Sequence, residues 1–431
     1  MIKLYRYFCL LFLFAISLAC SEDNDSKPEQ PTVSFKNLTV NTGTSYQTIA
    51  GFGGANQMWG TQFPNVSDMQ KAFGTGDDEL GLSIFRIRIS SNQNEWALIT
   101  EVAKQAQDRG AKILASPWSP PPGLKNNNSD IRGHLLPENY DDFAQYINDF
   151  VQFMADNDVN IDAISIQNEP DWEASYESCD YTPSQMRDFL VQEGTTITNS
   201  VQIAAPESLN FNQNFSNVLL NDADAEAQID IVAGHIYGGG LAPYPLAEQK
   251  NKEIWMTEYL LNQNATSEWS TLSEPIIWEE TLEMLTTMHQ AMEYNWNAYI
   301  WWYLKRYYSF IGDGDQGTTS GEILKRGYAY SHFSKFIRPG YKRVAVNLGF
   351  SGAIMSSAYS GANETVIVLI NPTENASGNL NIAIDGNTPD AATAYTTSLS
   401  SNRQEQQLTA DNDALLINIL PKSVTTIVIP N

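Results

Sequence analysis

Between Thr48 and Tyr303 the sequence holds eight short apolar runs separated by stretches with helical periodicity. They fall around Ile49–Phe52, Ser83–Ile89, Lys112–Ser116, Ala163–Gln167, Val201–Ala205, Ile229–Gly234, Lys252–Thr257 and Asn297–Trp302. Short apolar runs alternating with helices are the pattern of strand–helix units around a parallel sheet. Eight such units predict a closed (β/α)8 barrel of the α/β class. The intervening segments agree. Phe143, Tyr146, Ile147, Phe150, Val151 and Met154 recur at the spacing of one helix face, suited to covering a barrel. Thr182-Pro183 reads as an N-cap with proline at the first helical position, and Gly110 as a helix stop.

From about Tyr341 the texture changes to alternating segments such as Thr365–Ile370, Leu380–Ile384 and Ser423–Ile429, split by turns rich in Asn, Gly and Ser. That pattern predicts an antiparallel β-sandwich. Strand-like residues from Pro31 to Tyr46 have no partner in the barrel and are expected to pair with this sheet. The expected divisions are 49–338 for the barrel, and 32–48 together with 339–431 for the sandwich.

Residues 1–19 carry Lys3 and Arg6, an apolar stretch from Phe8 to Ile16, and then Ser17-Leu-Ala-Cys20, which reads as a signal peptide. The small residues before Cys20 resemble a bacterial lipobox, which implies cleavage there and lipidation of the Cys20 thiol. Residues 20–31 then form a polar tether, and Ser21-Glu-Asp-Asn-Asp25 is similar to surface-export signals of Bacteroidetes lipoproteins. The resemblance implies a lipid-anchored protein of the cell surface or outer membrane. With Cys9 removed and Cys20 acylated, Cys179 alone remains, so no internal disulfide is expected and Cys179 reads as a buried or loop thiol. The formal charge is −25. Nucleic acid and anionic membrane surfaces are therefore poor partners, and any acidic group on a substrate requires a local basic cluster. Contact with a membrane is expected only through the lipid, and the protein is expected to be a monomer.

Two glutamates stand where these runs end. Glu169 closes Ala163-Ile-Ser-Ile-Gln-Asn-Glu and is expected at the end of the fourth barrel strand; Glu258 closes Ile254-Trp-Met-Thr-Glu at the end of the seventh. Barrel enzymes keep their chemistry at this end of the strands, and two carboxylates facing each other there suit glycoside hydrolysis. Asn168 places an amide beside Glu169 that suits a sugar hydroxyl. Arg86, on the second strand, would favour an ionised Glu258, with Arg88 two residues on as a rival for that role. Burial and that charge would keep Glu169 protonated.

Gly51-Phe-Gly-Gly54, Ala115-Ser-Pro-Trp-Ser-Pro-Pro121, Ser165-Ile-Gln-Asn-Glu-Pro170, Trp255-Met-Thr-Glu258, Trp301-Trp-Tyr-Leu-Lys-Arg306 and Lys325-Arg-Gly-Tyr328 together resemble glycoside hydrolase family 30. The likeness runs over most of the mature chain and is nearest to the subfamily 8 glucuronoxylan endo-xylanases. It implies a barrel with an attached β-sandwich, Glu169 as acid/base and Glu258 as nucleophile of a retaining reaction. It also implies that Trp118, His235, Tyr237 and Trp302 line the sugar subsites, with Trp59 and Tyr303 set beside them. Arg306 and Tyr308 match the arginine and tyrosine that grip the glucuronate branch, a group suited to a bidentate guanidinium. The chain departs from that pattern after the nucleophile, where it reads Tyr259-Leu-Leu-Asn-Gln263 in place of residues that include a serine and a tyrosine. Unsubstituted or arabinose-bearing xylan and β-glucan remain open as substrates, as does a glycan-binding protein on a retired hydrolase scaffold.

No cofactor fingerprint is present, and four scattered histidines make no metal set. His134 and His289 read as surface or helix residues. Asp313 and Asp315 lack the full spacing of a calcium loop and read as part of a flexible turn.

Overall fold

The computed structural model describes residues 36–60, 62–261 and 273–431. The expected signal peptide, Cys20 and the expected tether therefore lie outside the described residues, as do Asn262 and Gln263. Among the described residues, no helix is long and apolar enough to cross a membrane.

After β1 (Lys36–Thr48) the chain enters the barrel: β2 (Gly51–Ala55), β3 (Ile84–Ile89), β4 (Lys112–Pro117), β5 (Ala163–Ser165), β6 (Gln202–Ser208), β7 (Ile231–His235), β8 (Glu253–Glu258) and β9 (Ala298–Trp301). All eight pair in parallel and in sequence order, and β9 closes on β2. Side chains alternate across the barrel wall. Ile84, Leu114, Ala204, Ile231, Trp255 and Ile300 belong to one buried cluster that fills the barrel. Phe85, Ile87, Ile113, Ile203, Val232 and Met256 belong to the larger core beneath the helices. The helix Tyr140–Asp156 buries all six residues of the predicted stripe, and Thr182 forms a reciprocal capping box with Gln185.

A second sheet contains β10 (Lys342–Leu348), β11 (Met355–Ser360), β12 (Glu364–Asn371), β13 (Asn379–Ile384), β14 (Ala391–Ser398), β15 (Ser401–Thr409), β16 (Leu416–Asn418) and β17 (Ser423–Pro430). Its order is β15-β14-β17-β12-β11-β10-β1-β13-β16, so the N-terminal strand sits inside it. One pairing departs from the antiparallel expectation: β1 runs parallel to β13. A strand delivered from the far end of the chain is not bound by hairpin geometry, and here it takes one neighbour of each kind. The sheet seals its own apolar core, with Leu38, Val40, Ile367, Leu369, Ile382 and Ile427 among its members. It meets the barrel at a seam where the buried His332 ring bonds Thr426 Oγ1 and Thr397 Oγ1, each at 2.8 Å.

Candidate active site

Arg86 organises the barrel mouth. It is fully buried and points inward from β3. Its Nη1 donates to Glu258 Oε2 at 2.6 Å, its Nη2 donates to Asn168 Oδ1 at 2.7 Å, and Nη2 stands 3.1 Å from Glu207 Oε1. The guanidinium also lies 4.8 Å from the centre of the Trp118 ring. Arg88, the rival, does not reach Glu258. It bonds Glu177 and Glu95 instead, because two residues further along β3 the same face has reached the rim loops.

Both glutamates reach the mouth, by different routes. Glu258 is the last residue of β8, next to a register shift that pairs His235 with Glu258. Glu169 is not on a strand, contrary to the sequence reading. β5 ends at Ser165, and the chain continues through single bonds from Asn168 N to Pro117 O and from Glu169 N to Glu207 O. Glu169 itself has φ of 45°, a left-handed conformation that turns its side chain into the cleft. A carboxylate oxygen of Glu169, one of Glu258 and a ring nitrogen of His235 all lie within 4.8 Å of one another.

His235 does not line the sugar cleft as expected. It is fully buried beneath Glu169, with Nδ1 at 2.8 Å from Glu169 Oε1. Its Nε2 lies 3.9 Å from Glu207 Oε1, a charge contact rather than a hydrogen bond. Glu207 is the residue that sequence reasoning missed. It follows a register shift in β6 that lets Pro206 and Ser208, but not Glu207, pair with β7, and its φ is 61°. Simple alternation from the inward Ala204 would have turned Glu207 toward the helices.

These charges set one another. Burial alone would raise Glu207, but the Arg86 guanidinium and His235 hold it down at about 2. Burial alone would lower His235, but Glu258, Glu169 and Glu207 push it up to about 9. Burial pushes Glu258 up and the Glu169 carboxylate adds to this, outweighing His235 and Arg86. Tyr237 is held protonated well past its ordinary range by burial and by Glu258, and it donates to Glu258 Oε1 at 3.0 Å. Glu169, His235 and Glu258 are spaced like metal ligands. However, Arg86 sits on Glu258 and the imidazole is cationic, whereas a metal requires a neutral ring.

Above the charges lies an open cleft of about 850 Å³ whose walls include Trp59, Trp118, Trp172, Tyr176, Tyr237 and Trp302. Flat aromatic walls around paired carboxylates suit sugar rings. Tyr303 stacks under Trp302 at 4.1 Å between ring centres, and its hydroxyl accepts the Met58 N–H, so it supports the wall. Trp172 and Tyr176, absent from the sequence expectation, join the wall from the loop after β5; the Tyr176 hydroxyl donates to Glu169 Oε2 at 3.2 Å.

The two residues expected to hold glucuronate are not among the residues that line that cleft. Arg306 spends Nη1 on Asp313 Oδ2 at 2.8 Å and on Asp315 Oδ2 at 2.9 Å. The supposed free turn is thus an ion-pair partner. Tyr308 is buried and lines a separate small cavity with Tyr307, Leu324 and Arg326. Cys179 is buried, and burial raises its thiol to about 12.

A (β/α)8 barrel whose mouth holds two facing glutamates, a buried arginine and aromatic walls defines a glycoside hydrolase. The chain belongs to glycosyl hydrolase family 30. The model of that family's TIM-barrel domain matches residues 66–276. The chain is 37% identical over 402 residues to the glucuronoxylanase XynC of Bacillus subtilis strain 168, covering 91% of each. Among solved structures it superposes on the family 30 subfamily 8 xylanase Xyn30A of Clostridium acetobutylicum with a TM-score of 0.80 and 32% identity, covering 92% of this chain and 100% of that one. A family 30 endoxylanase from Clostridium papyrosolvens C71 gives 0.79 and 32%, with the same coverage.

Proposed function

We propose that this protein is a retaining endo-β-1,4-xylanase that hydrolyses glucuronoxylan, with the glucuronate branch guiding the cut. The observation that carries the mechanism is the contact of Glu169 and Glu258 oxygens within 4.8 Å. Retaining glycosidases hold their carboxyl groups about 5 to 5.5 Å apart, whereas inverting ones leave room for a water between them. The similarity to a glucuronoxylanase over nine-tenths of the chain supports the substrate.

In this reading Glu258 attacks the anomeric carbon as the carboxylate, the form that the Arg86 guanidinium and the Tyr237 hydroxyl favour against the burial that raises its pKa. As the acid, Glu169 presents Oε2 to the leaving group, while Oε1 accepts from His235 Nδ1–H. Glu169 gives its proton to the leaving oxygen and, once charged, draws one back from water. The imidazolium beneath then stabilises the carboxylate that results. Glu207 fixes both cations without touching the substrate.

One observation favours a second substrate. Arg306 already binds two aspartates, so a glucuronate must compete for it or use its remaining nitrogens. Unsubstituted or arabinose-bearing xylan then becomes the substrate. Mass spectrometry of products from glucuronoxylan and from the same polymer stripped of glucuronate separates the two. Branched products at a fixed position, found only with intact polymer and lost in Arg306→Ala, are expected; equal cutting of both polymers would retire the guided reading. We also propose that Cys20 carries a lipid that holds a monomer at the outer membrane or cell surface. Release of Cys20→Ser into the soluble fraction is the expected sign, and an unchanged membrane fraction would count against it.

A further inference from the structure

Arg306 is held by one nitrogen. Asp313 and Asp315, in the loop after β9, converge on its Nη1, and among the described residues no hydrogen bond reaches its Nε or Nη2. Gly314, at a φ of 94°, lets the turn fold back so that the residues on either side of it meet the same atom. The Nε–Nη2 edge left over is a pair of parallel donors of the kind a carboxylate grips with both oxygens. The guanidinium also shares neighbours with the mouth. Tyr303 and Tyr308 each lie in the field of both Arg306 and Glu258, and Tyr303 backs the cleft wall at Trp302.

The two aspartates are not equivalent. The Asp313 side chain is 11% exposed, and its Oδ1 accepts the Asp315 N–H at 3.0 Å, so it is built into the turn. The Asp315 side chain is 61% exposed and adds a second charge where one already balances the guanidinium. The neighbouring cation, Lys305, is taken by Asp68 at 2.6 Å and offers no compensation. One negative charge is therefore in excess around Arg306. A uronate reaching the open edge gains two charge-assisted hydrogen bonds but approaches a like charge, whereas an uncharged branch meets no such opposition.

We propose that Asp315 is a specificity-determining residue that weakens the hold of Arg306 on a uronate branch, while Asp313 positions the guanidinium with its Nε–Nη2 edge open. The exposed carboxylate thereby sets how strongly the branch guides the cut. The assignment rests on the xylanase reading and on Arg306 as the group that receives the branch.

Calorimetric titration in the Glu258→Gln background tests it, with a linear xylo-oligosaccharide and with the same backbone bearing one glucuronosyl branch. The readout is the ratio of the branched to the linear affinity. Asp315→Asn should raise that ratio about three-fold at low salt, the size of an exposed ion-pair effect. The gain should shrink in about 0.5 M salt, where exposed charges are screened. Adding Arg306→Ala should erase it. Asp313→Asn should give no such gain, because the guanidinium loses its buried anchor. A ratio that Asp315→Asn leaves unmoved or lowers, but that Arg306→Ala lowers, overturns the proposal and leaves the guided xylanase reading standing. A gain that persists without Arg306, that high salt leaves intact, or that Asp313→Asn matches also overturns it. If neither Arg306→Ala nor Asp315→Asn moves the ratio, Arg306 receives no uronate, and the guided reading falls together with the proposal.

Discussion

His235 and His332 are both fully buried, yet they take opposite charge states. At the barrel mouth three carboxylates surround His235, and it holds its proton to about 9. At the seam His332 meets two threonine hydroxyls, and Arg403 is the charge that acts on it. Burial and that arginine lower it to about 3. Burial is common to both, so the neighbours decide the sign. The mouth is a polar network built around fixed charge for chemistry, while at the seam His332 is held by neutral hydroxyls and serves cohesion.

The largest expected effect breaks the mouth directly. Glu258→Gln should lower kcat on xylan by on the order of 10⁴-fold or more while thermal unfolding stays near wild type; reducing-sugar release measured beside a melting curve checks both halves. Glu207→Gln comes next. It removes a buried partner of Arg86 and His235 without touching the cleft, and breaking such a pair costs about 3 to 5 kcal/mol of stability. The alkaline limb of its pH–rate profile should also move to lower pH, because His235 loses a charge that raises it. An unmoved limb would assign Glu207 a purely structural role.

The two histidines then predict opposite limbs of stability against pH. His332 is depressed in the fold from an ordinary 6.5. As pH falls below 6.5 the unfolded chain takes up a proton that the folded chain refuses until about 3, so stability is lost through that window. His289, lowered to about 4 by burial, acts with the same sign. His235 is raised, so its contribution is complete below 6.5 and is lost as pH climbs toward 9. His332→Gln should flatten the acid limb and leave the alkaline one, and melting temperatures from pH 4 to 9 would reveal any failure of that separation. The smallest effect is at Cys179, where thiol reagents should leave the native enzyme's activity within about two-fold, since its thiol is buried and protonated.

Much of this architecture was legible in the sequence, because barrel strands announce themselves as apolar runs and each ends where the mouth must be. Glu258 was found that way. Glu169 was found for a partly wrong reason, since its strand stops at Ser165 and a left-handed turn, not the ladder, aims it. Glu207 was invisible, because alternation along β6 assigns it to the helix side and a register shift reverses that. Arg88 and Arg86 share a strand face and could not be told apart until the rim supplied Glu95 and Glu177 as partners for one of them. The pairing of Arg306 with Asp313 and Asp315 escaped for another reason. Two aspartates in a glycine-rich turn carry no periodic signal that fixes what they face.

The position of β1 bears on how such a chain is made. Leu38 stands opposite Leu348 on one side and Ile382 on the other, so the first described strand cannot be enclosed until some of the last residues have been synthesised. Until then its apolar Leu38 and Val40 and both backbone edges stay open to other chains. In the barrel β2 likewise waits for β9, but the other seven pairings join strands consecutive in the chain. A nascent chain cut before Asn379 would therefore keep its eight barrel strands but carry an unpaired β1 edge at its head, a ready mark for surveillance by chaperones and proteases.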